Sequence, residues 1–236
     1  MKTLQVERMG RVAYGPMLAL QEARHAAVAD GAGPDTLFLL EHEPVVTLGK
    51  NAGAGNVLVP RAALAARGVE LFATGRGGDV TYHGPGQIVG YPIVRLGEGE
   101  QDIKGYVFKL EEILIRTVAD FGVTAAREEG LRGIWVGNDK IGAIGVRIAR
   151  WTTLHGFALN VTTDLDGFRL IVPCGIHDRG VTSLARLCPV VPGLREVEDR
   201  IIVHAGAVLG RETREAAPSP LPRAAAPAPT GAVSSE

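Results

Sequence analysis

The chain has 236 residues, 46% of them hydrophobic and 22% charged, with a formal net charge of −1. This length and composition can bury a full hydrophobic core, so a disordered or fibrous protein is excluded. The near-zero charge excludes a generally basic nucleic-acid-binding protein, and no apolar run approaches the roughly 18 residues of a membrane span. With two cysteines and no apolar stretch after Met1, we expect a cytoplasmic protein with reduced thiols.

Apolar residues at helical spacing predict a first helix in MLALQEARHAAVADG, a second in GYVFKLEEILIRTVADFG and a third in EVEDRIIVHAGAVLG. Between the helices, β-branched and aromatic runs predict strands in TLFLLEHEPVVTLG, QIVGYPIVRL, GIWVG, KIGAIGVRIAR and LHGFALNVTTDL. The strands cluster in the middle of the chain and do not alternate steadily with helices. We therefore predict an α+β fold with a mixed, largely antiparallel sheet flanked by helices.

The segment WVGNDKIGAIGV places a Gly-Asn-Asp turn between two apolar runs. This pattern predicts a β-hairpin with Lys140 at the start of its returning strand. Further on, residues 216–236 are rich in Pro, Ala and Ser and have few large apolar side chains. Such a segment cannot offset its ordering entropy by burial, so we predict one folded domain over 1–215 and a disordered tail over 216–236.

The glycine-dense segment GRGGDVTYHGPGQ, residues 75–87, is the first candidate for a functional site. Glycine permits left-handed backbone and close approach to a ligand, so a loop of this kind can wrap a substrate with main-chain donors. Its polar residues favour a site wall over a plain connection; they are Arg76, Tyr82, His83 and Gln87.

Cys174, in LIVPCGIHDRGVTSL, lies between a proline and a glycine, as expected for a presented thiol. A thiol reacts as thiolate, and a lysine ammonium about 4 Å away contributes ~4 kcal/mol at an effective dielectric of about 20, or roughly three pKa units. Lys140 is a candidate for this cation. Because 34 residues separate the two, an inert packed cysteine and a solvated lysine stay open as the alternative.

Metal binding is a competing use of the same residues. Cys174 and His177 have ligand-like spacing, and Cys188 with His155 or His83 could complete a zinc site. No second paired motif accompanies them. Cys188 is otherwise interpreted as buried and inert.

Five segments carry a family resemblance when taken in order: EHEPVVTLGK, GRGGDVTYHGPGQIVGYPI, GIWVGNDKIGAIGVRI, LHGFALNV and FRLIVPCGIHDRGVTSL. They run from about Glu41 to Leu184 and resemble the octanoyltransferases of lipoate biosynthesis. The resemblance implies the fold of the catalytic domain of biotin and lipoate protein ligases. It also implies an acyltransferase that moves an octanoyl group to a lysine of a lipoyl domain, with no cofactor or metal.

By position, the resemblance implies that Cys174 forms the thioester intermediate. Lys140 is then the residue that lowers the cysteine pKa and acts as general acid and base. The implied substrate-binding residues are Arg76, Gly77, Gly78, Asp79, Val80, Thr81, Tyr82, His83, Ala143, Ile144, Gly145, Gly156, Phe157 and Ala158.

The implied donor is acyl carrier protein bearing octanoyl-phosphopantetheine. The implied acceptors are the lipoyl domains of 2-oxoacid dehydrogenases and the glycine cleavage H protein, and the enzyme is expected to be a monomer with no nucleic-acid or membrane partner. An ATP-dependent lipoate or biotin ligase, which needs no cysteine, is the nearest rival. A non-catalytic module that binds lipoyl domains is a more distant one.

Two finer expectations concern how the substrate is held. Because acyl carrier proteins are acidic, we expect docking near Arg76, Arg147 or Arg150. Main-chain amides of Gly77, Gly78 or Gly175 are candidate donors to the reaction's oxyanion.

Overall fold

The structure is a computed structural model that describes residues 2–53, 55–172 and 179–222. Segment 173–178, with Cys174, Gly175 and His177, lies outside the described residues. The α-helices are α1 (Tyr14–Ala29), α2 (Arg61–Ala66), α3 (Ile103–Ala119), α4 (Leu184–Leu187) and α5 (Leu194–Leu209), with a 3₁₀ helix at Leu165–Leu170. The strands are β1 (Lys2–Val12), β2 (Thr36–His42), β3 (Val45–Leu48), β4 (Glu70–Ala73), β5 (Val80–His83), β6 (Gln87–Ile93), β7 (Ile134–Val136), β8 (Asp139–Ala149), β9 (Thr152–Asn160), β10 (Gly180–Val181) and β11 (Arg211–Ala216).

Eight of these strands form one mixed sheet in the order β10-β8-β9-β6-β2-β1-β11, with β7 paired to β8. The run from β8 through β9 and β6 to β2 is antiparallel, whereas β1 is parallel to both β2 and β11. A smaller sheet, β4-β3-β5, contains the middle of the glycine-dense segment as β5, and the last residue of that segment, Gln87, begins β6 of the main sheet. The predicted fold class, a mixed and largely antiparallel sheet flanked by helices, is confirmed.

Helices cover both faces of the main sheet, and β2 shows why. Leu37 and Leu39 pack into the core under α3 and α5, while Phe38 and Leu40 pack into the core under α1. Successive side chains of a strand point to opposite faces, so a strand buried on both sides reads as a continuous apolar run. Each such fully buried side chain contributes about 1.5–3 kcal/mol relative to exposure.

The three long predicted helices are confirmed as α1, α3 and α5, and the predicted hairpin is confirmed as β7 and β8. Gly137 begins its two-residue turn with φ +57°, a conformation that glycine adopts without strain. Two predictions were too simple. The run TLFLLEHEPVVTLG holds two strands that belong to different sheets, and the glycine-dense segment is not all loop because it contains β5.

The two ends of the described chain were not predicted to be strands. β1 and β11 pair in parallel, and Arg211 at the start of β11 is buried against Asp35 and Glu100 at 2.9 and 3.1 Å. Ser219 donates its main-chain N–H to Glu7 at 2.8 Å. The predicted start of the tail therefore falls at the end of a strand, and residues 223–236 lie outside the described part of the chain.

Candidate active site

A cavity of about 560 Å³ brings most of the predicted site residues together. Its walls include Lys140, the segments 143–145 and 156–158, and every residue of 76–83 except Tyr82. The Tyr82 ring instead packs edge-on against Phe168, with their centroids 5.6 Å apart. Side chains that were not predicted from the sequence also line the cavity, among them Tyr14, Tyr91 and Val107.

The antiparallel pairing of β8 with β9 explains why two distant segments share a wall. Ala143 lies opposite Ala158, and Gly145 lies opposite Gly156. Directly paired residues of adjacent strands point to the same face, so these four small residues form one part of the cavity wall.

Gly156 has no room for a side chain. A Cβ there would lie 2.2 Å from the carbonyl oxygen of Gly90, and neither strand can withdraw without breaking the β6–β9 ladder. We expect Gly156→Ala to lower the free energy of unfolding by roughly 2–4 kcal/mol. Urea denaturation would measure this. Gly55→Ala is the control, since its Cβ meets nothing within 4 Å, and an equal loss in both variants would contradict the explanation.

The glycine-dense segment is held from behind by Arg76. This guanidinium is buried and donates to the carbonyl oxygen of Thr47 at 2.6 Å and to its hydroxyl oxygen at 2.9 Å. Arg76 therefore supports the loop from inside, and the expectation that it docks a carrier protein at the surface is wrong. Gly77 donates its N–H to the carbonyl oxygen of Val146 at 2.9 Å, so the expectation that its amide is a free oxyanion donor is also wrong.

A chain of hydrogen bonds links His83 to the backbone of Lys140. Asn160 donates Nδ2 to the carbonyl oxygen of Thr182, which leaves its Oδ1 to accept from Gln87 Nε2 at 2.9 Å. Gln87 Oε1 can then only accept, so it is His83 Nδ1 that donates to it at 2.6 Å. Thr182 donates its N–H to the carbonyl oxygen of Lys140 at 3.0 Å. One hydrogen-bonded network thus fixes the tautomer of His83 and also contacts the backbone of Lys140.

Three buried imidazoles lie in or beside this wall. Burial lowers the pKa of His83 to about 3, with the neighbouring His42 as a second cause, and burial lowers the pKa of His42 and of His155 to about 4. All three are therefore neutral at pH 7. His42 donates Nδ1 to a backbone carbonyl, so its Nε2 accepts from the hydroxyl of Tyr91 at 2.7 Å.

His155 is the most unusual of these residues. It has a left-handed backbone, φ +61°, and its Nδ1 is buried with no hydrogen-bond partner among residues 2–53, 55–172 and 179–222. The glycine neighbours of His83 and His155 were the signal in the sequence that singled them out. Gln87 was noted among the polar residues of the glycine-dense segment, whereas no signal in the sequence marked His42 or Asn160.

Lys140 is 8% exposed and lines the cavity, and its Nζ lies 4.8 Å from the ring centroid of Trp135. Cys174 falls in the segment that the structure does not describe, so the predicted pairing with Lys140 stays a prediction. Val181, three residues beyond that segment, pairs with Lys140 and also lines the cavity.

Cys188 is half-buried at the end of α4, where its thiol contacts the carbonyl oxygen of Phe121 at 3.6 Å. Burial raises the pKa of this thiol, which makes it less reactive. Cys188 packs against the α3–α5 core, whereas His83 and His155, its suggested zinc-ligand partners, line the cavity.

Within the described ranges, no group of three or more His, Cys, Asp or Glu residues could hold a metal ion.

Comparison with known proteins shows which family the chain belongs to. The profile of the lipoyl protein ligase A/B catalytic domain matches residues 13–205. An octanoyltransferase of Caldicellulosiruptor bescii is 48% identical over 205 residues, which cover 86% of this chain and 90% of that protein. The chain belongs to the octanoyltransferases of this family. The octanoyltransferase of Chloroflexus aurantiacus is also 48% identical, over 91% of this chain and 97% of its own length.

A crystal structure of lipoate-protein ligase A bound with ATP has the same fold as this enzyme. The two superpose with a TM-score of 0.76 over 93% of this chain and 90% of the other, at 19% identity.

Among the residues that the structure describes, no helix is long and apolar enough to cross a membrane.

Proposed function

We propose that this enzyme transfers an octanoyl group from the phosphopantetheine arm of acyl carrier protein to a lysine of a lipoyl domain, through a thioester on Cys174. The observation that carries the proposal is that Lys140 lines the same cavity as the segments 76–83, 143–145 and 156–158. Lys140 is thus buried beside a cavity wall with small side chains, in a chain that belongs to the octanoyltransferases.

In the first half-reaction, the Cys174 thiolate attacks the carbonyl carbon of the carrier thioester. The Lys140 ammonium favours the thiolate and then gives a proton to the departing pantetheine thiolate. One C–S bond forms and another breaks, so the octanoyl group now lies on the enzyme. A main-chain amide such as that of Gly78 is a candidate to stabilise the intermediate oxyanion.

In the second half-reaction, the acceptor lysine of the lipoyl domain must lose a proton before it attacks the acyl-enzyme. Lys140, neutral after the first half-reaction, accepts that proton, and the second proton that the nitrogen loses on forming the amide goes to solvent. An amide bond forms, Cys174 leaves as thiolate, and Lys140 is again an ammonium. One lysine thus serves both steps.

The cavity that Ala143, Gly145, Gly156 and Ala158 help to line would hold the acyl chain. Each buried methylene contributes about 0.8 kcal/mol to binding. A difference of one methylene changes the free energy by only about 1–3 kcal/mol, so selectivity for chain length is expected to be modest.

The proposal also covers the acceptor proteins, the cellular location and the oligomeric state of the enzyme. The acceptors are the lipoyl domains of 2-oxoacid dehydrogenases and the glycine cleavage H protein, and the enzyme acts as a cytoplasmic monomer with a single catalytic domain over 1–215 and a tail over 216–236. The cytoplasmic location fits the proposed chemistry, because Cys174 must stay a free thiol and a reducing compartment would keep it so. Two exposed arginines, Arg147 on β8 and Arg150 just after it, keep their role as candidate docking cations.

The decisive experiment is to mix the enzyme with octanoyl-carrier protein in the absence of ATP and to record its intact mass. We expect one octanoyl group on the peptide that contains Cys174, and its loss when an apo lipoyl domain is added. Because ATP-dependent ligases share the fold, the same mixture with free octanoate and ATP is the matched control. Strict dependence on ATP would replace the transferase with a ligase.

A further inference from the structure

The segment from Arg127 to Gly133 is held against α3 at both of its ends. Arg127 is ion-paired to Glu111 at 3.2 Å and to Glu112 at 2.8 Å, and its guanidinium carbon lies 4.7 Å from the centroid of the Phe108 ring. At the other end, Gly133 donates its N–H to Oε1 of Glu111 at 3.0 Å. Glu111 is 2% exposed, so one buried carboxylate fixes both ends of segment 127–133.

Arg132 is the exposed cation of this segment. It lines the cavity that also contains Lys140, and yet it is itself exposed to solvent. Within the part of the chain that the structure describes, Arg132 has no ion pair and no side-chain hydrogen bond, whereas Arg127 is paired with two carboxylates. The anchored segment thus presents a guanidinium without an acidic partner to whatever enters the cavity beside it.

Two residues of α3 show that the cavity is open to solvent in this region. Ile103 and Val107 both line the cavity, and Ile103 is 53% exposed whereas Val107 is buried. Lys140 is only 8% exposed and therefore lies deeper. Arg132 precedes Trp135, the cross-strand partner of Lys140, by three residues, which span at most about 11 Å. A ligand that reaches from the mouth to Lys140 thus passes Arg132.

We propose that Arg132 binds the phosphodiester of the phosphopantetheine arm while the thioester at the end of that arm lies beside Lys140. The inference rests on the proposed function, and it adds a residue that recognises the donor at the mouth of the cavity. Arg132 touches neither the acyl group nor the reacting atoms. Arg147 and Arg150 stay candidates for contacts with the body of the carrier protein.

The chemistry of the arm matches this arrangement. Its thioester end is uncharged and can enter the cavity, whereas the phosphodiester carries a negative charge that is costly to bury and so stays at the mouth. The planar fork of an arginine can donate two parallel hydrogen bonds to two phosphate oxygens. Two acids, Glu129 in segment 127–133 and Asp102 just before α3, repel an anion from other parts of this rim. Arg132 is therefore the group of this segment that an anion would contact.

The test compares two small donors that differ only in the phosphate, octanoyl-phosphopantetheine and octanoyl-pantetheine. Values of kcat and KM for transfer to an apo lipoyl domain are measured for the wild type, Arg132→Gln and Arg132→Lys. We expect the wild type to prefer the phosphorylated donor by about five- to tenfold in kcat/KM, and Arg132→Gln to use both donors within about twofold. The loss is expected in KM, with kcat unchanged, because the phosphate is remote from the reacting bond. Arg132→Lys keeps the charge without the fork and should lie in between.

Arg67→Gln is the matched control, since Arg67 is an exposed arginine that does not line the cavity. It is expected to keep the preference of the wild type. Arg132→Gln is also expected to keep its melting temperature, because the replaced side chain is exposed. With octanoyl-carrier protein as donor, Arg132→Gln should raise KM in the same proportion as with octanoyl-phosphopantetheine.

Two results would overturn the inference while the proposed function stands. In one, the wild type and Arg132→Gln show the same preference between the two small donors. In the other, Arg132→Gln raises KM for the carrier protein although the wild type uses both small donors equally, so that the arginine contacts the protein and not the arm. If neither the small donors nor the carrier protein acylates the enzyme, the proposed function itself fails, and this inference with it.

Discussion

Replacing Cys174 with serine is expected to abolish the acyl-enzyme and to lower octanoyl transfer by at least about 10³-fold. A nearby ammonium can ionise a thiol because its pKa starts near 8.5, whereas an alcohol is far too weak an acid to be ionised near neutral pH. The serine variant therefore keeps the shape of the site and loses its nucleophile. Octanoylation of an apo lipoyl domain, followed by mass spectrometry, measures the loss.

Cys188→Ser is the matched control for this prediction. That thiol is half-buried and has a raised pKa, so the variant is expected to keep activity within about twofold of the wild type. The thioester assignment is untenable if Cys174→Ser keeps its activity while Cys188→Ser loses it.

Acid is expected to destabilise the protein well before its carboxylates titrate. Burial holds the pKa of His42 and His155 at about 4 and that of His83 at about 3, whereas an unfolded histidine has a pKa near 6.5. Below pH 6.5 these three histidines become protonated in the unfolded chain, whereas in the folded chain they stay neutral until a lower pH. The contribution of these three histidines to the free energy of unfolding is thus constant well above that pH and falls as the pH drops towards 4.

The pH dependence of the free energy of unfolding can be estimated from the number of protons that the unfolded chain binds and the folded chain does not. Each of the three histidines contributes roughly 1.4 kcal/mol per pH unit within its window, so together they contribute up to about 4 kcal/mol per unit. Urea denaturation at pH 7.5, 6.5 and 5.5 would measure the slope. His42→Gln should reduce the slope by about one proton's worth, roughly 1.4 kcal/mol per pH unit. Equal stability at pH 7.5 and 5.5 would contradict neutral burial of these imidazoles.

Local patterns in the sequence were sufficient to predict much of the fold. The apolar spacing of α1, α3 and α5 and the turn before Lys140 depend on residues near each other in the chain, and they were predicted correctly. Motif order likewise predicted the segments 143–145 and 156–158, which the β8–β9 ladder brings side by side. Two strands at the chain ends, β1 and β11, were missed because charged residues interrupt their apolar pattern.

The sequence by itself determined the long helices, the hairpin and the membership of the chain in the octanoyltransferases, because each depends on short segments or on their order. Tertiary structure alone decided that Arg76 lies inside, against Thr47, and that Gln87 meets Asn160. These contacts are between residues far apart in the chain, which sheet pairing and burial bring together. Local periodicity predicts which face of a helix or strand a residue lies on. It does not predict which residue of another strand or loop will contact it there.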